Sequence, residues 1–231
     1  MGILPEDKPV KPKLEPHNFF IYGKPMAGKS YFASFFPHPL VLNTDGNANQ
    51  GTAPNIQLVN KKDKTGKIVK TARSQVEEAI LALQTQSTTF QTIIIDTIED
   101  LCVLVEQAIC AEYGVKSLND GKLSYGKGSS IIKQFLQDMV MDLKALPMDV
   151  IFISREIEVT DIQSGSTEIK SALKDNYYNI VTGNCDLVIR CQKTGKDHIR
   201  TIEEKRADYK PSDISNEQIR KLLASCFGMF N

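Results

Sequence analysis

A glycine-rich segment near the start of the chain has the residue types needed to hold phosphate groups. The run Gly23-Lys24-Pro25-Met26-Ala27-Gly28-Lys29-Ser30 fits G-x-x-x-x-G-K-[ST] at every fixed position. The glycines let the backbone curl so that its N–H groups face phosphate oxygens. Lys29 can reach the β- and γ-phosphates, and the Ser30 hydroxyl can coordinate Mg²⁺. The run therefore predicts a nucleotide site in which every one of its residues contacts the phosphates or lies beside them.

An acidic residue that could complete this site ends the most apolar short strand candidate. Thr92–Ile95 is a β-branched, apolar run that ends at Asp96. The carboxyl ends of parallel strands form the ligand-binding edge of an open α/β sheet. We therefore expect Asp96, together with Ser30, to hold the Mg²⁺ or a water bound to it. The simpler alternative is that Asp96 only caps the helix that follows.

A second nucleotide-like motif has the wrong context. Asn60-Lys61-Lys62-Asp63 fits the N-K-x-D pattern that reads guanine in GTPases. In GTPases that motif follows the Mg²⁺-binding strand, whereas here it precedes the Asp96 strand. Asp96-Thr97-Ile98-Glu99 also lacks the D-x-x-G switch of those proteins. The sequence therefore favours ATP, and Asn60–Lys70 is predicted to be a basic hairpin turned at Thr65-Gly66.

The elements that must position these residues alternate between strands and helices. This alternation predicts an α/β fold with a mostly parallel sheet covered by helices on both faces. Two late strands joined at Lys193–Lys196 predict an antiparallel edge hairpin. We expect a flexible arm over residues 1–16 and one domain over residues 17–231. The predicted strands are Asn18–Tyr22, Leu40–Leu42, Ile56–Val59, Thr92–Ile95, Val150–Ser154, Leu187–Cys191 and His198–Glu203. The predicted helices are Lys29–Phe36, one starting at Ser74 with a Ser74–Glu77 capping box, Ile98–Ala111, Ser129–Leu146 and Ser215–Cys226 with Ser215 as its cap.

Length and composition exclude several classes of protein. The chain has 231 residues, and 28 basic residues balance 28 acidic ones, so it is not a globally basic nucleic-acid coat. It lacks an apolar run of about 18 residues, so we expect no membrane span. The N-terminal sequence does not resemble a signal peptide. The five cysteines are scattered without a C-x-x-C, which predicts neither a zinc site nor a disulfide framework. We expect a reduced, intracellular protein.

With these motifs in place, residues 17–206 resemble the RecA-like ATPase core. The chain particularly resembles the small phage-encoded RecA-like ATPases of single-strand annealing and recombination systems. Strand candidates between the phosphate loop and Asp96 fit this class, because GTPase-like and nucleotide-kinase folds make those two strands neighbours. The resemblance implies a RecA-like P-loop fold and Mg²⁺-dependent ATP hydrolysis.

The resemblance also implies roles for residues outside the phosphate loop. Asp45 follows the Leu40–Leu42 strand where RecA-like proteins carry an acid that polarises the attacking water, although RecA has Glu there. The alternatives are that Asp45 only forms a turn and that Glu99 is the base. Arg155, in Ser154-Arg155, lies where the family senses the γ-phosphate; it could instead pair with Glu156 or Glu158.

Two loops in the family face single-stranded DNA. Here these would be Gly114–Gly128 and Glu156–Asp175, which supply cations for phosphates and a ring on which a base can stack. Acidic residues dilute this signal, and ordinary solvated loops are the alternative. Family members also place a Lys or Arg after the last strand to reach a neighbouring subunit's γ-phosphate, which points to Lys205 and Arg206. The DNA-binding candidates are Lys116, Lys122, Tyr125, Lys127, Lys170 and Lys174.

The favoured hypothesis is a Mg²⁺-ATP-hydrolysing enzyme that acts on single-stranded DNA in phage recombination or replication. The family implies a homo-oligomeric ring or filament, and an annealing or single-strand-binding protein is a possible partner. The location would be the cytoplasm of the bacterial host. Two alternatives stay open: a P-loop kinase acting on a nucleotide or small molecule, and a nucleotide-gated interaction protein with little turnover.

Overall fold

The computed structural model describes residues 7–9, 14–47, 51–160 and 165–230. Within these ranges, strands and helices alternate along most of the chain. The strands are β1 (Asn18–Gly23), β2 (Pro39–Asn43), β3 (Asn55–Gln57), β4 (Lys61–Lys62), β5 (Ile68–Lys70), β6 (Thr92–Asp96), β7 (Asp149–Thr160), β8 (Thr167–Ser171), β9 (Leu187–Thr194) and β10 (Asp197–Lys205). The helices are α1 (Lys29–Ala33), α2 (Ala72–Thr85), α3 (Ile98–Tyr113), α4 (Lys127–Lys144), α5 (Asp175–Thr182) and α6 (Glu217–Ala224).

The main sheet has the strand order β10-β9-β1-β7-β6-β2-β3. Every neighbouring pair from β9 to β3 is parallel, and β10 pairs antiparallel with β9 at one edge. Strand β7 separates the phosphate-loop strand β1 from β6, which carries Asp96. This order confirms the predicted RecA-like α/β fold with a late antiparallel hairpin. It also differs from GTPase-like and nucleotide-kinase folds, in which these two strands are adjacent.

The central strands β1, β2 and β6 and the first part of β7 are buried on both faces of the sheet, which explains why they are mostly apolar. In β1, Phe20 and Tyr22 face one core, which is completed by α2, α3, α4 and α5. Phe19 and Ile21 face the other core, beneath α1 and α6. This alternation follows from the two-residue repeat of a strand. The two cores hold the carboxyl ends of β1, β2, β6 and β7 together at one edge.

Several element boundaries differ from the sequence predictions. The segment Glu156–Asp175, predicted to be a loop, is mostly the outer part of β7 and the antiparallel strand β8. Helix α2 begins at Ala72, with the Thr71 side chain accepting from Ser74 N, so the predicted Ser74–Glu77 capping box is wrong. Helix α6 is capped by Asn216 rather than Ser215. The Gly114–Gly128 loop ends early, because α4 begins at Lys127.

The predicted arm lies partly outside the described residues, which omit 1–6 and 10–13. Within the described part, Glu15 Oε1 accepts hydrogen bonds from Ser215 N at 2.7 Å and Ser215 Oγ at 2.8 Å. His17 Nδ1 lies 2.8 Å from Asp149 Oδ1. The segment leading into β1 is therefore tied to the domain from Glu15 onward. The division at residue 16 stays a prediction.

Candidate nucleotide-binding site

The phosphate loop joins the end of β1 to the start of α1, and its glycines are required by their surroundings. A Cβ atom on Gly23 would lie 2.0 Å from the carbonyl oxygen of Cys191 on β9. Gly28 has a φ of +86°, and a Cβ there would lie 2.9 Å from His198 Nδ1 on β10. His198 Nδ1 is also 3.1 Å from the Ala27 carbonyl oxygen. Strands β9 and β10 therefore support the loop from outside.

Lys29 directs its ammonium group back across this loop. Its side chain is buried, and Nζ donates to Gly23 O at 2.8 Å and to Lys24 O at 3.0 Å. Burial lowers the pKa of Lys29, while the nearby Asp96 carboxylate acts in the opposite direction. The positive charge is thus fixed at the centre of the loop, where a phosphate would need it.

Ser30 and Asp96 meet where the loop and β6 come together. Ser30 Oγ donates to Asp96 Oδ2 at 2.5 Å. Burial raises the pKa of Asp96, and the hydrogen bond from Ser30 opposes this rise. Mg²⁺ prefers oxygen ligands and is held in phosphate sites by one or two side chains plus substrate phosphates. The Ser30–Asp96 pair therefore fits Mg²⁺ bound together with a nucleotide.

Asp45 lies beside this pair because the ends of β2 and β6 are tied together. Thr44 N donates to Asp96 O at 2.8 Å, and Thr97 N donates to Thr44 Oγ1 at 2.9 Å. The Asp45 charge contributes to the raised pKa of Asp96. The Asp45 side chain is exposed and accepts from Asn47 N at 2.9 Å. Asp45 thus forms the local turn that was the simpler alternative, and it does so next to Asp96.

Arg155 is held by acidic residues at the start of α3. Its Nε lies 3.0 Å from Glu99 Oε1, and its guanidinium also donates to Asp100 Oδ1. The predicted alternative, a pair with Glu156 or Glu158, is wrong. Neighbouring residues of a strand point to opposite faces, so both glutamates point away from Arg155. The partners of these two glutamates are Arg190 at 2.9 Å and Lys24 at 2.5 Å.

Glu99 has one oxygen whose bonding is incomplete. Oε1 accepts a hydrogen bond from Arg155 N at 2.9 Å and forms an ion pair with Arg155 Nε at 3.0 Å. Oε2 is buried and has no hydrogen-bond partner among the described residues. Buried carboxylate oxygens are nearly always paired, because an unpaired one costs about 1–3 kcal/mol. Glu99 Oε2 is therefore suited to receive a donor from a bound group.

A cavity of about 510 Å³ opens beside the Ser30–Asp96 pair. Its wall is formed by α1, β2, β6 and residues 47 and 51–53, and it is more apolar than polar. Tyr31 and Phe35 line its outer side and stack edge to face, with ring centroids 4.7 Å apart. The site thus combines a polar phosphate-binding end with adjoining apolar space.

Comparison with known families agrees with this geometry. A family model described as an AAA domain matches residues 15–214 of the chain. The chain belongs to the AAA domain family. Among solved structures, the RadB recombinase has a similar backbone, with 14% sequence identity, a TM-score of 0.46 and coverage of 83% of each chain. A search of curated protein sequences found no significant match.

The candidate DNA contacts of this AAA domain fall into two groups. Lys116, Lys122, Tyr125 and Lys127 are exposed, and Tyr125 is fully so. The lysines of the second segment have acidic partners: Lys170 Nζ lies 2.8 Å from Asp175 Oδ1, and Lys174 Nζ lies 3.5 Å from Glu106 Oε2. The lysines of the first group are therefore more available to bind phosphates. DNA contact by either group stays a prediction.

The two candidate trans-acting residues bind their own chain. Lys205 Nζ donates to Gly228 O at 3.2 Å, and Arg206 Nη2 donates to Gly183 O at 2.7 Å. Lys205 pairs in register with Leu187, at the start of β9, whereas the phosphate loop follows the opposite end of the sheet. Neither residue is available to a neighbouring subunit without losing these bonds, so their trans role stays a prediction without structural support.

Three contacts at the site of this AAA domain were not predicted from the sequence. They are the Arg155–Asp100 pair, the Lys24–Glu158 bridge and the contact of His198 with the phosphate loop. Each joins residues far apart in the chain, so spacing alone carries no signal for it. The alternation of acidic and apolar residues over Glu156–Val159 could have revealed the outer part of β7. Among the described residues, no helix is long and apolar enough to cross a lipid bilayer.

Proposed function

We propose that this AAA domain hydrolyses ATP with Mg²⁺ and acts on single-stranded DNA. The observation that carries the ATPase proposal is the 2.5 Å hydrogen bond between Ser30 Oγ and Asp96 Oδ2. This bond joins the end of the phosphate loop to Asp96, an acidic residue at the end of β6 that lies 66 residues later in the chain. A plain glycine turn would need no such partner, whereas a Mg²⁺-nucleotide site requires both oxygens at one place.

Each residue of the site would have a separate role in the in-line attack of water on the γ-phosphate. Lys29 and the loop amides stabilise negative charge on the phosphates. Mg²⁺, when bound, neutralises charge on the β- and γ-phosphates, and Ser30 and Asp96 are the residues that would hold it. Asp45 orients and polarises the water. Arg155, fixed by Glu99 and Asp100, places positive charge near the γ-phosphate.

The proposal for single-stranded DNA rests on the exposed loop before α4. Lys122 and Lys127 flank Tyr125, which provides a ring for base stacking beside cations for phosphates. The resemblance to phage RecA-like ATPases adds the wider setting: recombination or replication in the host cytoplasm, a homo-oligomeric ring or filament, and an annealing or single-strand-binding protein as partner.

A nucleotide-gated interaction protein with little turnover is the second candidate. Asp45 favours this second function for two reasons. Its side chain is shorter than the Glu side chain found there in RecA, and its Oδ2 already accepts a hydrogen bond from Asn47 Nδ2 at 2.6 Å. A nucleotide kinase is disfavoured by the strand order, in which β7 separates β1 from β6.

Measuring ATP hydrolysis with and without single-stranded DNA separates these functions. Stimulation by DNA is the expected result. Tight ATP binding without turnover in either condition would support the gated interaction protein, and phosphoryl transfer to an added acceptor would support a kinase.

A further inference from the structure

A small hairpin outside the main sheet concentrates unpaired positive charge. It consists of Asn60–Lys70, with β4 and β5 as its two strands, and is called the lysine hairpin below. The four lysines 61, 62, 64 and 67 are exposed, against one acidic residue, Asp63. The whole chain carries no net charge, so this cluster is not a consequence of a basic composition. We propose that the lysine hairpin binds the phosphate backbone of duplex DNA.

The unpaired charge lies on β4 and in the turn of the hairpin, whereas the cations at the end of β5 and in the first turn of α2 have acidic partners. At the base of the hairpin, Lys70 pairs with Glu78 at 2.6 Å, and the nearby Arg73 pairs with Glu77 at 2.8 Å. Within the described part of the chain, Lys61, Lys62, Lys64 and Lys67 have no such acidic partner. Cations that are not neutralised by neighbours are those that can release counterions from DNA when they bind it.

The hairpin is built to hold its shape without using its lysines. Asp63 Oδ1 closes the turn by accepting from Thr65 N at 2.8 Å, Thr65 Oγ1 at 2.6 Å and Lys67 N at 3.1 Å. The bonds from Thr65 lower the pKa of Asp63, so it stays ionised and bonded within the turn. The lysine side chains therefore project from a fixed backbone.

The base of the hairpin is anchored to the domain. Asn60 Nδ2 donates to Leu104 O on α3 at 2.7 Å, and Asn60 Oδ1 accepts from Ala72 N at 2.9 Å. Gln75 Nε2 donates to Val59 O at 2.6 Å. A rigid, charged two-stranded ribbon loses little conformational freedom when it meets a rigid partner.

Composition favours a duplex over a single strand. Residues 60–70 include no aromatic side chain, and single-strand binders use aromatic rings as stacking platforms. A duplex keeps its bases stacked inside and presents phosphates at high charge density outside. Its major groove also admits a two-stranded β-ribbon. The lysine hairpin therefore suits a duplex, while Tyr125 suits a single strand.

The test compares two full-length variants with equal net charge. One carries Lys61→Gln, Lys62→Gln, Lys64→Gln and Lys67→Gln. The matched control carries Lys133→Gln, Lys193→Gln, Lys196→Gln and Lys210→Gln, all exposed lysines outside the hairpin. Fluorescence anisotropy with a labelled duplex, over a series of salt concentrations and without nucleotide, measures affinity independently of ATP hydrolysis. Thermal melting of each variant checks the fold.

We expect the hairpin variant to bind the duplex more weakly and with a smaller salt dependence. The slope of log K against log salt falls by about 0.9 for each phosphate that is no longer neutralised, or by about 3–4 when all four lysines are replaced. The control variant keeps the wild-type slope. If the hairpin variant has a lower melting temperature than wild type, two double variants replace it in the test. Lys61→Gln/Lys62→Gln and Lys64→Gln/Lys67→Gln should each show about half the change in slope. Replacing all four lysines by arginine restores binding.

Three results would overturn the proposal. The first is wild-type protein that does not bind duplex at low salt. The second is an equal loss of duplex binding in the hairpin and control variants, which would indicate a general charge effect. The third is a loss of single-strand binding in the hairpin variant while its duplex binding is unchanged.

Discussion

Arg155 contacts a single oxygen of Glu99 in two ways. Its backbone N–H donates to Glu99 Oε1 at 2.9 Å, and its Nε forms an ion pair with the same oxygen at 3.0 Å. Glu99 Oε2 is buried and has no hydrogen-bond partner among the described residues. Arg155 belongs to the strand next to the phosphate-loop strand, and Glu99 belongs to the helix after Asp96. The pair therefore links two of the strand ends that form the candidate site.

Removing Arg155 should slow ATP hydrolysis more than it weakens ATP binding. Arg155→Ala deletes the positive charge that we propose acts on the γ-phosphate, and losing one such group costs about 10²-fold in kcat. Arg155→Lys should recover only part of the rate, because an ammonium cannot reproduce the guanidinium fork that engages Glu99 and Asp100. Steady-state hydrolysis and nucleotide-binding titrations measure both effects. Unchanged kcat in a folded Arg155→Ala variant would remove Arg155 from the mechanism.

Asp45→Asn should retain ATP binding and lose most hydrolysis, because an amide cannot polarise water as a carboxylate can. Glu99→Gln is the comparison, since its amide oxygen can still accept from Arg155 while the charge is removed. We expect it to be the milder change. Single-turnover hydrolysis compares the two variants directly. If Asp45→Asn turns over normally and Glu99→Gln does not, the base is Glu99, acting through Oε2.

Binding of single-stranded DNA should depend on the exposed loop before α4. Charge reversal at Lys122 and Lys127 should weaken binding and reduce its salt dependence. Tyr125→Ala should cost about 1–3 kcal/mol if the ring stacks on a base. Charge reversal at Lys133 and Lys210, which are exposed and lie outside both candidate DNA segments, is the matched control and should have less effect. Anisotropy with a labelled oligonucleotide, with and without a non-hydrolysable ATP analogue, is the measurement. Equal losses in the loop variant and the control variant would argue against this loop.

Stability should depend on pH through His17. Its hydrogen bond to Asp149 raises the pKa of His17 above 6.5. The stabilisation is therefore complete below that value and is lost as pH rises through the raised pKa. Thermal melts should show that His17→Gln is less stable than wild type at about pH 6. The difference in the free energy of unfolding should be less than about 1 kcal/mol, because the pair is partly exposed. This difference should disappear by about pH 9.

Asp149 has an opposing effect on stability. Burial raises the pKa of Asp149 above 3.8, so its ionisation disfavours the fold as pH rises from that value through the raised pKa. In an Asp149→Asn background, the stability difference caused by His17→Gln should no longer depend on pH. A difference of constant size from pH 6 to pH 9 in the wild-type background would show that His17 acts by packing alone.

The parts of the structure that sequence predicted are those with local signals. The phosphate loop has fixed residue spacing, Asp96 ends an apolar strand, and the edge hairpin turns at Gly195. The outer part of β7 was missed because its acidic residues suggested a solvated loop. That part of the strand extends beyond the main sheet and, among the described residues, pairs only with β8, so it does not need to be apolar.

Other features depend on contacts that local sequence does not encode. Helix α5 was not predicted, because its aromatic and β-branched residues are weak helix formers. It is held instead by burial of Tyr177 and Val181, four residues apart on one face. The partners of Arg155 come from a helix 55 and 56 residues earlier in the chain. Tertiary packing, not spacing, brings them together.

The most direct test of the central claim is ATP hydrolysis by purified wild-type protein and a Lys29→Ala variant, each with Mg²⁺. Lys29 carries a positive charge, and the hydrogen bonds from its Nζ to Gly23 O and Lys24 O hold that charge at the phosphate loop. We predict Mg²⁺-dependent hydrolysis by the wild type. We predict none above background in Lys29→Ala, although circular dichroism shows the same fold. Wild-type turnover by a folded Lys29→Ala variant would contradict the account.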